Sequence, residues 1–129
     1  MGTYFSVEWQ NNQQPKHVKS ILIVDRGKRR ITYADLTMRG DVLRQEDGPL
    51  QASRAAQFFS VVNDALCQWG GQTDFSVPSS EGFWWKIKIR SMTGKIYRIN
   101  GTTSYPLMGD VIERELEALC EDAGIHIKK

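Results

Sequence analysis

The chain reads as an α+β protein, a mostly antiparallel sheet of two hairpins plus short strands with two helices packed on one face. Three observations carry this. Two stretches alternate with a period of two across a short turn, Val18 to Leu36 and Phe83 to Ile99. Two others repeat apolar residues at spacings of three and four, from Ser53 to Trp69 and from Asp110 to Ala123. The order hairpin, connection, helix also occurs twice, from Val18 to Trp69 and from Phe83 to Gly124, which gives a mostly antiparallel sheet with two helices on its apolar face.

Taken in order, Tyr4 to Trp9 is a first strand, with Phe5, Val7 and Trp9 on one face. Asn11 to Pro15 is polar, ends in proline and reads as a loop. Val18 to Asp25 follows, and its centre Ile21-Leu22-Ile23-Val24 suits a strand covered on both sides for part of its length. Asp25-Arg26-Gly27-Lys28 makes a turn in which Gly27 can take positive φ, and the partner strand runs from about Arg29 to Leu36. Beyond it, Val42-Leu43 is a short third strand, with Gly40 and Asp47-Gly48-Pro49 marking loop on either side. Ser53 is the expected N-cap of the first helix, whose stripe is Phe58, Phe59, Val62, Ala65, Leu66 and Trp69, and Gly70-Gly71 stops it. Phe75-Ser76-Val77 is a short extended piece.

The most regular stretch is Phe83 to Ile99. Trp85, Ile87 and Ile89 share one face of a strand, and Lys86, Lys88 and Arg90 share the other. Ser91-Met92-Thr93-Gly94 turns the chain, and Lys95 to Ile99 returns. The second helix starts at Pro106 or at Asp110, where Glu113 three residues on resembles a capping box. Met108, Ile112, Leu116, Leu119, Cys120 and Ala123 trace its buried stripe, Gly124 ends it, and Ile125-His126-Ile127 is a short closing strand. The whole, 1–129, reads as one domain, and 18–69 and 83–124 echo each other as hairpin followed by helix, with a Gly-Lys pair in each hairpin turn.

Composition bounds function by exclusion. With 40% hydrophobic and 25% charged residues the chain is ordinary for a soluble globular protein, and its net charge of +2 does not by itself call for a polyanion. No apolar run approaches the length that spans a bilayer and no secretory leader is visible, so a soluble, cytoplasmic protein without a membrane partner is the expectation. Cys67 and Cys120 read as two small buried hydrophobes in a reducing compartment, although a bridge between the helices is geometrically open. His17 and His126 lack companions at ligand spacing, so no metal and no cofactor are expected. There is no G-x-S-x-G elbow and no glycine-rich phosphate loop, and Cys67 has no basic neighbour to activate it. Catalytic residues are therefore not assigned, and an enzyme is the weakest reading.

Charge distribution says more than net charge. Lys16 to Arg44 holds eight basic residues against three acids, and Phe83 to Ile99 holds five and none. Asp110 to Asp122 reverses this, with six acids against Arg114. The candidate binding residues are Trp84, Lys86, Lys88, Arg90 and Arg98, an aromatic and four cations on the outer side of one hairpin. A one-sided antiparallel sheet must show polar residues to water, so solvation alone accounts for such a face. The functional readings are an interface with another protein, using Trp and Arg as anchors, or a nucleic-acid surface that tracks phosphates and stacks a base. A small-molecule pocket between sheet and helices ranks third, and a homodimer is open. Arg26, Lys28, Arg29 and Arg30 form a separate basic cluster without an interleaved aromatic.

The run Gly82-Phe83-Trp84-Trp85-Lys86-Ile87-Lys88-Ile89, then Gly94-Lys95, Asn100-Gly101 and Tyr105-Pro106 before a helix, resembles small uncharacterised bacterial α+β domains. The resemblance covers the C-terminal third. It implies a bacterial, cytoplasmic origin and an α+β fold, and it transfers no catalytic residue.

Overall fold

The structure is a computed structural model and describes residues 2–10, 18–37, 39–75, 84–102 and 109–125. Four strands come first, β1 Gly2–Gln10, β2 Val18–Asp25, β3 Arg30–Thr37 and β4 Val42–Pro49, followed by helix α1 Ala52–Trp69. The two-residue β5 Asp74–Phe75, the hairpin β6 Trp84–Ser91 and β7 Ile96–Thr102, and helix α2 Gly109–Ala123 complete the order. The strands form one sheet ordered β4-β3-β2-β1-β6-β7-β5, antiparallel except where β5 runs parallel to β7. Strand β1 lies between the two hairpins and pairs with β2 on one side and β6 on the other, so the first strand in sequence fuses both halves.

Register fixes which residues form the core. Phe5 stands between Val24 and Ile89, Val7 between Leu22 and Ile87, and Trp9 between Ser20 and Trp85. Ile31 and Tyr33 extend these rows onto β3, and Ile99 extends the middle row onto β7. All of these except Trp9 and Ser20 belong to one buried apolar cluster shared with both helices. Phe5 meets Phe58 edge-on at 5.1 Å, and Phe58 meets Phe59 at 5.3 Å, which is how α1 seats on β1. Side chains of period two on the sheet and of period 3.6 on the helices thus close on one interior.

Two close approaches depend on glycine. A Cβ on Gly101 would stand 2.4 Å from Trp85 Cζ2, so the missing side chain lets the Trp85 indole lie across β7. On Gly48 it would stand 2.6 Å from Ala123 Cβ and 2.7 Å from the Ala123 carbonyl oxygen, so this glycine seats the end of α2 on β4.

Several expectations are corrected. Residues 47–49 belong to β4, which is eight residues long. An edge strand tolerates Pro49 at its end, where one face of the backbone has no neighbouring strand to serve. In the first hairpin the left-handed residue is Arg29, at φ 54°, and not Gly27. Helix α1 begins before Ser53: Gln51 is the N-cap, without a side-chain cap, and Ala55 N–H donates to Gln51 O at 2.9 Å. Packing of its apolar stripe outweighs the roughly 1 kcal/mol that a serine cap contributes. The stop is as expected, with Gly70 left-handed at φ 57°. In α2, Asp110 lies inside the first turn and pairs loosely with Arg114 at 3.9 Å instead of capping. Cys67 is exposed while Cys120 is buried, both as free thiols, and burial pushes the Cys120 thiol up to about 12. Ile125 is buried but belongs to no strand. The expectations for 11–15, Ser76, Val77, Pro106, Met108, His126 and Ile127 lie outside the described residues, as does His17.

Candidate functional site: the outer sheet face

The face turned away from the helices follows from the same register. Tyr4 pairs with Arg90, Ser6 with Lys88, and Glu8 with Lys86 across β1 and β6. On the other side of β6, Lys88 stands directly opposite Arg98, Arg90 opposite Ile96 and Lys86 opposite Asn100. All four cations named from the sequence therefore lie on one surface, with steps of about 6.8 Å along β6 and about 4.8 Å between strands. Two like charges in direct cross-strand opposition oppose folding. The described residues of β6 and β7 contain no acid to offset them.

Aromatic rings support three of these four cations. Lys86 Nζ lies 5.5 Å from the Trp84 ring centroid, and Lys88 Nζ and the Arg90 guanidinium each lie 5.7 Å from that of Tyr4. Such contacts contribute about 0.5–1 kcal/mol at exposed sites and narrow the freedom of long side chains. Trp84 is half-buried and Trp85 is fully buried, so the consecutive tryptophans divide between the two faces as their parity requires. Tyr4 is the residue of this candidate face that sequence reasoning passed over. Its parity was the signal: Phe5, Val7 and Trp9 facing inward put Tyr4 outward.

The surface continues across β1 and β2. Glu8 is held by Lys19 at 3.0 Å, so the one acid beside Lys86 already has a partner. Ile21, Ile23 and Leu36 form a half-buried apolar stripe outside the core cluster, because their parity opposes that of Leu22 and Val24. The basic turn 26–30 lies on the same sheet, at a distance from these cations. Arg26 N–H donates to Thr3 O at 2.9 Å, and Arg30 shares a cross-sheet row with Asp25, Tyr4 and Arg90. Arg90 and Arg30 are thus three strands apart, about 14 Å.

A second polar constellation lies on the inner face at the Trp9 end. Ser20 Oγ and the Tyr33 hydroxyl both donate to Asp35 Oδ1, at 2.6 and 2.7 Å. Arg44 lies 3.7 Å from Asp35 Oδ2, stands over the Tyr33 ring at 5.4 Å and pairs with Glu46. Burial, followed by the hydrogen bonds with Ser20 and Asp35 in opposite senses, pushes the Tyr33 hydroxyl up to about 12. Ser20 and Tyr33 are wholly buried and Asp35 is 4% exposed, so this cluster fixes the packing of β2 on β3 and offers a substrate no approach. Sequence reasoning missed it, though Ser20 and Asp35 at core-facing parity were the sign. Among the described residues no three His, Cys, Asp or Glu side chains are grouped to hold a metal.

Fold and site define a class, an α+β domain with one sheet face armed with ring-supported cations. Neither protein-family models nor curated proteins give a match to the chain. No described helix is long and apolar enough to cross a membrane.

The like-charge pair permits a direct check. Arg98→Glu turns a repulsive pair with Lys88 into an attractive one, so chemical denaturation should show stability rising by a few tenths of a kcal/mol up to about 1. A loss of stability would mean that Arg98 is held for folding and not for a partner.

Proposed function

We propose that the protein is a non-catalytic binding module whose outer sheet face, built from β6, β7 and β1, docks an acidic surface of a partner protein. The observation that carries this is the direct opposition of Lys88 and Arg98, flanked by Lys86 and Arg90 on aromatic supports. A solvated face needs no such concentration of one sign, whereas an acidic partner relieves it on docking.

The rings favour protein over nucleic acid. Base stacking needs an open ring face. Tyr4 already carries two of the protein's own cations and Trp84 carries one. The neighbouring stripe Ile21, Ile23 and Leu36 adds apolar area beside the charges, the mixture of apolar centre and charged surround that protein interfaces use. The reading is tested by anisotropy titration of a labelled acidic peptide alternating Glu with Leu, against a labelled single-stranded oligonucleotide. The peptide is expected to bind more tightly, and Lys88→Glu/Arg98→Glu to weaken it at least tenfold. Tighter oligonucleotide binding with a steep salt slope, or peptide binding indifferent to the double substitution, would overturn it.

A further inference from the structure

The two layers of the fold carry opposite charge. Helices α1 and α2 together hold seven acids against Arg54 and Arg114. The stripe Ile112, Leu116, Leu119 and Cys120 buries one side of α2 in the core. The 3.6-residue period turns Asp110, Arg114 and Glu121 to the opposite side and Glu117 to its flank, and all four are exposed. Asp110 and Asp122 have cationic neighbours in Arg114 and Arg54, at 3.9 and 3.0 Å. The acidic side of α2 and the cationic face of β6–β7 therefore lie on opposite surfaces of a single two-layer body. The chain's net charge is only +2, so separate copies meet a dipole and little overall repulsion.

Dimensions agree with the charges. Glu117 and Glu121 are one turn apart, about 6 Å along the helix. The cations recur about every 6.8 Å along β6. A 15-residue helix is about 22 Å long and an eight-residue strand about 27 Å, so one element covers the other.

We infer that the acidic partner of the outer face is a second copy of this chain, the α2 surface of one molecule docking on the β6–β7 face of the next. The inference rests on the docking reading above and names its occupant. Such a contact is heterologous: each molecule uses two different surfaces, and association continues head to tail instead of closing as a twofold dimer. It is held by exposed charges, so it is reversible and salt-sensitive.

Sedimentation velocity tests this. At about 0.01 M salt the sedimentation coefficient should rise with protein concentration, and at about 1 M salt it should fall to the monomer value. Lys88→Gln/Arg98→Gln and Glu117→Gln/Glu121→Gln, each checked for folding by circular dichroism, should each be monomeric alone. Mixed, they should form a one-to-one dimer and stop, because each then offers one intact surface. Self-association of either variant alone, or no dimer in the mixture, would overturn the head-to-tail contact. A wild-type chain monomeric at low salt that still binds the acidic peptide overturns this inference alone. Loss of peptide binding as well overturns the docking reading with it.

Discussion

Replacing Trp85 with alanine is expected to cost about 3–5 kcal/mol, the largest loss from any single truncation in the core. Trp85 is wholly buried and sits at the crossing of three elements: it pairs with Trp9 on β1, lies over Gly101 on β7 and has the Phe75 ring at 6.2 Å. Phe75 in turn meets Trp69 at the end of α1 at 6.0 Å, so the cavity opens where helix, β5 and hairpin converge. Chemical denaturation with an unchanged m-value measures the loss. Trp84→Ala provides the contrast: half-buried on the other face, it should cost well under half as much. Equal losses would contradict the division of the two tryptophans between core and surface.

Asp35→Ala is expected to cost about 2–3 kcal/mol, for a different reason. Asp35 Oδ1 is the shared acceptor of Ser20 and Tyr33, and its removal takes an acceptor from two wholly buried hydroxyls. The Ser20 and Tyr33 oxygens are 3.4 Å apart and can partly satisfy each other, which keeps the cost below that of two fully orphaned groups. Asp35→Asn retains an acceptor oxygen and should recover much of the loss. The same cluster sets an alkaline limit. The Tyr33 hydroxyl stands at about 12 in the fold against about 10 in an unfolded chain. Between those values the native state keeps a proton that the unfolded chain releases. Stability is therefore full below about pH 10 and is lost as pH rises through about 12. Denaturation midpoints across that range check the slope, and Tyr33→Phe should flatten it.

The parts of the fold readable from the chain were those where one physical signal dominates. Period-two alternation located β2, β6 and β7 to within about three residues at their ends, and the stripes of α1 and α2 follow their apolar spacing. The helix starts were less legible, because packing placed Gln51 ahead of the better-capping Ser53. Strand β4 was hidden for the same kind of reason: Asp47-Gly48-Pro49 is turn chemistry in isolation, yet Gly48 is needed in a strand to admit Ala123. The central place of β1 has no local signature, since its pairing with β6 joins residues some 80 positions apart. The candidate site was half visible. Lys86, Lys88, Arg90 and Arg98 follow from parity within one hairpin, but Tyr4 and the apolar stripe on β2 and β3 enter only once the strand order is known.

The most direct measurement of the central claim is amide and indole chemical-shift mapping while the acidic peptide is titrated in. With the monomeric Glu117→Gln/Glu121→Gln variant, the docking reading predicts that the perturbed signals are those of Tyr4, Ser6, Trp84, Lys86, Lys88, Arg90 and Arg98, with Glu8 and Lys19 at the margin and the helices unmoved. Perturbations centred on the inner cluster of Ser20, Tyr33 and Asp35, or confined to the turn 26–29, would contradict it.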